Sequence, residues 1–198
     1  MIKNKYDIVF ETAPDNDLKT DENNEILTDN PKTFTQLDNE INESQDTFEI
    51  NYDYTFNNET DSNYASGITI NKSNFVIDGN GHSINGNNQA KIFRITGGNI
   101  TINNLFLVNG NSDMGGAIFS SGKLTLNNVT FINNTASKIG GAIASNGLFE
   151  CNNSKFIDNY VDINSTDCGA AMAFSNSEAN IYNTYITSKI LPNFPRFR

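Results

Sequence analysis

The chain has 198 residues, 37% of them hydrophobic and 18% charged, with a formal net charge of −10; this bounds it at one domain or two and leaves little apolar material for a globular core. Lys and Arg number 13 against 23 Asp and Glu, with no basic stripe, which excludes nucleic acid as a partner because phosphates require clustered cations. No apolar run approaches the ~18 residues of a membrane span, and two cysteines, Cys151 and Cys168, make neither a disulfide framework nor a four-ligand metal site.

The opening MIKNKYDIVF contains only a three-residue apolar run, Ile8 to Phe10, far short of the ~7–15 residues of a signal-peptide core. Neither an export signal nor membrane insertion is therefore expected from this chain as written. Residues 1–32 are acidic and of low complexity, with Glu11, Asp15, Asp17, Asp21, Glu22, Glu25 and Asp29 facing Lys19. Such a stretch buries too little apolar surface to offset its ordering entropy, and a disordered tail is expected.

Residues 33–63 read as an N-terminal cap, a short helix plus a strand. Thr33-Phe34-Thr35-Gln36 fits a capping box, and Phe34, Leu37 and Ile41 fall on one helical face. From Phe48 the period changes to two, with Phe48, Ile50, Tyr52, Tyr54 and Phe56 alternating with polar residues, the pattern of one half-buried strand. Laid over the first coil of a stack, these elements would cover its open edge.

Residues 64–190 hold a repeat. Leu124-Thr-Leu126-Asn-Asn-Val129-Thr-Phe131 has counterparts in Ile100–Leu107, Phe149–Phe156 and Ala179–Ile186, at offsets of 24, 25 and 30 residues. Apolar residues alternate, skip two positions and alternate again, so two short strands meet at a bend and like stacks on like. Asn104, Asn128, Asn153 and Asn183, with Gly79 earlier, share the bend; Gly110, Asn134 and Asn159 share a second. Gly and Asn enter left-handed backbone at least cost, and both bends are expected there. Asparagine takes about one position in six, well beyond ordinary usage, and this turn chemistry adds to compositional bias in explaining it. Stacked Asn can also bond amide to amide. Gly115-Gly116-Ala117-Ile118 and Gly140-Gly141-Ala142-Ile143 supply a third strand, with Gly116, Gly141 and Ala170 as inner-row spacers. Three strands per ~25-residue coil describe an all-β chain, a right-handed parallel β-helix. Residues 191–198, with two prolines, cannot continue a ladder and read as an irregular tail.

No residue type in these coils gathers into chemistry. His82, the one histidine, lies in a Gly-rich turn; Asp113, Glu150, Asp158, Asp162, Asp167 and Glu178 occupy different repeat positions, whereas glycoside chemistry requires paired carboxylates. Asp113 with Asn109 and Asn111, or Asp78 with Asn80, offers oxygens to calcium, but the spaced repeat of calcium-binding β-rolls is absent. Cys151 aligns with inward Leu126 and Ile102 and reads as a buried thiol; Cys168 aligns with Met114 and Ile139, and two free thiols are expected. Asn58, Asn71, Asn99, Asn128, Asn133 and Asn164 head Asn-x-Ser/Thr triplets, which abundance of Asn explains. The expectation is a non-enzyme with no catalytic, cofactor-binding or metal-binding residues and no cofactor.

The tandem Gly-Gly-Ala-Ile with Phe131-Ile-Asn-Asn134 and Phe156-Ile-Asp-Asn159 resembles the repeat of the polymorphic outer membrane proteins. Ile68–Ile84, preceded by Phe34-Thr-Gln-Leu37, looks like the start of archaeal adhesin-like surface proteins of the pectin-lyase-like fold. The resemblance covers about residues 33–188 and implies a non-catalytic, cell-surface or secreted adhesin that displays a β-helix face to carbohydrate or to a partner surface protein. A carbohydrate-active enzyme of the pectin-lyase-like class and a structural stalk without ligand are the alternatives. The chain departs from the family in having few coils and no visible translocator or anchor region, so a truncated copy is expected.

Overall fold

The computed structural model describes residues 30–161, 169–175 and 178–187. The expectations placed on residues 1–29, on Asp162, Asn164, Asp167 and Cys168, and on the 191–198 tail lie outside the described residues.

One helix, α1 (Phe34–Glu43), opens the described chain. Its capping box is formed: the Thr33 hydroxyl accepts from the Gln36 amide at 3.3 Å, and Gln36 Oε1 accepts from the Thr33 amide at 2.9 Å. Phe34, Leu37 and Ile41 are buried together, with Phe34 edge-on to Phe56 at 5.4 Å. The polar side of the helix is held as well. Tyr54 Oη donates to Glu40 at 2.5 Å, and Tyr64 Oη to Asp38 at 3.0 Å.

Short parallel strands then wind into a solenoid. Sheet I stacks Thr47–Glu49, Phe75–Asp78, Asn99–Asn103, Lys123–Asn127, Phe149–Asn152 and Ala179–Tyr182. Sheet II stacks Tyr54–Thr55, Ser83–Asn85, Phe106–Val108, Thr130–Ile132, Lys155–Ile157 and Tyr185–Ile186. Sheet III stacks Ile68–Ile70, Phe93–Ile95, Ile118–Ser120, Ile143–Ser145 and Met172–Phe174. Because strand direction is parallel and side chains alternate, each inward position forms a column through the stack. One runs Phe48, Ile77, Ile102, Leu126, Cys151 and Ile181. Another carries Leu107 beneath Phe131 and Phe156, whose rings stack at 4.6 Å and 4°.

Two features differ from the sequence expectation. The alternating run from Phe48 to Phe56 is not one strand but two, because the chain bends at Tyr52, which is 47% exposed. Thr47–Glu49 pairs with Phe75–Asp78, and Tyr54–Thr55 with Ser83–Asn85, so this segment already runs in the ladder. The later coils also carry a fourth sheet, IV, of Asn111–Met114, Thr135–Ile139 and Tyr160–Val161. It arises where the path from sheet II to sheet III lengthens, from residues 86–92 in one coil to 109–117 and 133–142 in the next two. Asn111-Ser112-Asp113 has no apolar alternation to announce a strand.

The bends divide their work differently than composition suggests. Asn104, Asn128, Asn153 and Asn183 have φ of 51°, 55°, 51° and 47°, left-handed as expected. Gly79 is not left-handed; Asn80 and Gly81 take that role in its coil. Gly79 is small because a Cβ there would lie 2.5 Å from the Asn104 carbonyl oxygen. At the second bend Asn109, Asn133 and Asp158 are left-handed, at 51°, 54° and 53°, each one residue before the expected position. Gly110, Asn134 and Asn159 instead face the interior. Gly115 and Gly140 turn left-handed at φ 63°. Gly116 and Gly141 follow them, and what they spare is backbone rather than the apolar row: a Cβ on Gly116 would lie 2.3 Å from the Gly141 oxygen and 2.4 Å from the Thr135 oxygen.

Candidate functional site

The residues weighed as chemistry in the sequence are dispersed by the fold. Asp113 sits on sheet IV, 3.3 Å from Lys138. Glu150 sits on sheet I, 3.1 Å from Lys123, and Asp158 is a turn residue. Glu178 precedes the last sheet I strand and accepts from Asn180 at 3.4 Å. His82 Nδ1 lies 3.4 Å from Asp53, outside the stack. Asp78 Oδ1 accepts from the Asn80 amide and from Asn104 Nδ2 at 3.0 and 3.2 Å, which makes it the first member of a side-chain ladder. Among the described residues no group of three or more His, Cys, Asp or Glu converges. Cys151 is buried on its inward column, 3.6 Å from the Thr184 hydroxyl, and burial pushes its thiol pKa up.

Asp61 is an ionisable side chain that has no signal in the sequence and that the structure singles out. It is buried, and its carboxylate accepts from the Phe34, Thr35 and Asn57 amides at 2.9–3.0 Å and from the Thr35 hydroxyl at 2.7 Å. Burial alone would raise its pKa, but these four bonds favour the anion and hold it below the ordinary carboxylate value. It closes the N-terminal amides of α1, where the helix dipole also favours negative charge. Nothing local in the sequence links Asp61 to a helix start 27 residues earlier. Its role is structural.

What the fold does assemble is a wall. On the outer side of sheet II the register lines up Ser83, Phe106, Thr130, Lys155 and Tyr185, and beside them Asn85, Val108, Ile132 and Ile157. Phe106 is 40% exposed and Tyr185 61%. Along one border runs the left-handed Asn row, with Asn128 Nδ2 donating to Asn104 Oδ1 at 2.9 Å. Gly81, Asn104, Phe106, Asn128, Thr130, Ile132, Lys155 and Ile157 enclose a shallow groove of about 260 Å3 there. It joins an apolar floor to a rim of amide, hydroxyl and ammonium groups. Thr130 and Lys155 are legible in sequence as the outward letters between apolar ones, but their meeting across coils follows only from the register.

Among the described residues no helix is long and apolar enough to cross a membrane. Compared with protein-family models, with curated proteins and with solved structures, the chain matches none.

Proposed function

We propose that this chain is a non-catalytic binding module of the adhesin-like kind, presented at a cell surface or outside the cell, and that the outer wall of sheet II holds carbohydrate. The observation that carries the reading is the sheet II groove, in which exposed Phe106 and partly buried Ile132 lie beside Asn104, Asn128, Thr130 and Lys155. A sugar ring has an apolar face and a hydroxyl rim, and a shallow apolar floor bordered by donors and acceptors complements both. The tandem Gly-Gly-Ala-Ile and Phe-x-x-Asn resemblance to polymorphic outer membrane proteins and archaeal adhesin-like proteins supports the surface setting.

The test is a glycan array probed with the purified full chain, followed by the double variant Phe106→Ala/Lys155→Ala. Both side chains point outward, so thermal unfolding should be unchanged while binding to the recognised glycan weakens at least tenfold, about 1.4 kcal/mol. Undiminished binding by the folded variant would overturn the groove. New reducing ends after incubation would overturn the non-catalytic reading in favour of the pectin-lyase-like enzyme.

A further inference from the structure

A second depression, of about 370 Å3, lies at the step where sheet IV begins, and it is lined by Ala65, Ser66, Gln89, Lys91, Arg94 and the strand Asn111-Ser112-Asp113. The step exists because the coil at 86–92 has no sheet IV strand, leaving Asn111–Met114 as that sheet's edge. Asn111 fastens the edge to the lower coil, its amide donating to the Ala90 oxygen and its side chain to the Asn88 oxygen, each at 2.9 Å.

Lys91 is only 7% exposed yet lines this cavity. Its stem packs where Gly67 leaves room for it, and its ammonium lies 5.3 Å from the centre of the Phe119 ring. Among the described residues neither Lys91 nor Arg94 makes a side-chain hydrogen bond or ion pair. Among the described residues no buried side-chain nitrogen or oxygen lacks a hydrogen-bond partner, so the unpartnered Lys91 ammonium opens onto the recess while its stem is buried, and its three donors are open to an acceptor there. The carboxylate in the same lining does not bond the ammonium: Asp113 is bonded to Lys138 at 3.3 Å. Burial depresses the Lys91 pKa, Asp113 pulls it back up, and Arg94 on the same rim pushes it down again. Two cations and one carboxylate, the Lys138-paired Asp113, thus line one polar recess in a chain whose net charge is −10, and a general surplus of positive charge cannot explain this local excess.

We infer that the Lys91–Arg94 recess is an oxyanion subsite that takes the carboxylate or sulfate of an acidic glycan, with Lys91 at its floor, Arg94 at its rim and the Gln89 amide alongside. An oxyanion supplies acceptors for the ammonium and for two parallel guanidinium N–H groups. The word glycan rests on the reading of the sheet II wall; the anion preference rests on this recess alone.

The experiment titrates the full chain with dextran, carboxymethyl dextran and dextran sulfate of equal length, whose backbones are identical and whose charge differs. At least one charged polymer is expected to bind tenfold or more tightly than dextran. Arg94→Gln, an exposed change, and Lys91→Gln should each remove most of that preference without altering binding of neutral dextran. Arg94→Gln keeps the test decisive if Lys91→Gln unfolds. A carboxylate source is read from carboxymethyl dextran and a sulfate source from dextran sulfate. Equal binding of all three polymers, or a charge preference that survives in folded Arg94→Gln, overturns the inference and leaves the sheet II reading standing. Charged polymers bound through Arg94 with no trace of Phe106 dependence would uphold the subsite and sink the sheet II groove. Binding of none overturns the inference, and the sheet II groove is then judged by the glycan array alone.

Discussion

Asn134 and Asn159 meet inside the solenoid: Asn134 Nδ2 donates to Asn159 Oδ1 at 2.8 Å, and that oxygen also accepts the Asn134 amide at 3.0 Å. Asn134 Oδ1 accepts from the Gly110 amide at 2.7 Å, and its Nδ2 reaches the Leu107 oxygen at 2.9 Å. Asn159 repeats the gesture one coil on, donating to the Phe131 oxygen at 3.0 Å. These side chains supply partners that sheet geometry cannot offer at a corner.

Asn134→Leu should therefore destabilise far more than its hydrophobicity suggests. It strips the Gly110 amide and the Leu107 carbonyl of a buried partner, each worth about 1–3 kcal/mol. Urea unfolding should show a lower midpoint with an unchanged slope, and a midpoint within error of the parent would refute the buried ladder.

Backbone handedness separates two kinds of bend residue. Asn128 has φ 55°, so Asn128→Gly should be nearly neutral, whereas Asn128→Val should cost about 1–2 kcal/mol. Thermal unfolding of the pair tests this; equal losses would mean that the amide, not the backbone, is what matters there.

Gly116→Val should abolish cooperative folding or lower stability by about 3 kcal/mol, because its Cβ would press on two carbonyl oxygens of the next coil. Gly81→Ala is the contrast. Nothing lies within 4 Å of a Cβ there, although φ is +81°, so only a strain of about 1–2 kcal/mol is expected. Circular dichroism melts that rank these two in the opposite order would sink the placement.

Asp61 predicts a pH dependence. Its folded pKa lies below the unfolded value of about 3.9, so the folded state binds fewer protons and the carboxylate's contribution is complete above about pH 4 to 5. It is lost as pH falls through the depressed folded pKa. Stability of the parent minus that of Asp61→Asn should be largest near neutrality and shrink toward acid. A difference that is flat with pH would show that the anion is not what holds the start of α1.

Cys151 should resist alkylation in the native protein. It is buried and its thiol pKa is raised by burial, and the thiolate is the reactive form. Peptide mapping after iodoacetamide should find Cys151 unmodified until denaturant is added, and rapid native labelling would contradict the inward column.

The repeat was legible because its information is local and periodic. Leu124, Leu126, Val129 and Phe131 announce two strands and a bend by spacing alone, and the 24- and 25-residue offsets reappear as the register Ile102, Leu126, Cys151. Features without periodicity stayed hidden. The sheet IV strand Asn111–Met114 is polar throughout apart from its last residue, and Asp61 acts on a helix far upstream. Which Asn of an adjacent pair turns the backbone and which turns inward, as with Asn133 and Asn134, depends on where the neighbouring coil puts its donors. Lys91 was likewise invisible as a site, since its stem is covered by residues far off in sequence, at Gly67 and Phe119.

Asn127 donates to Asn103 and Asn152 to Asn127, at 2.9 and 3.1 Å, Phe156 lies on Phe131, and Gly141 lies over Gly116. Each coil thus presents to its successor nearly the surface it received from its predecessor. Any coil can then act as an interchangeable cassette: duplicating residues 116–140 in frame would give every amide, ring and glycine a partner of its own kind. The solenoid's length is therefore free to drift by whole coils, while the recess at Lys91, which depends on a break in that sameness, occurs at a single height and would not be copied.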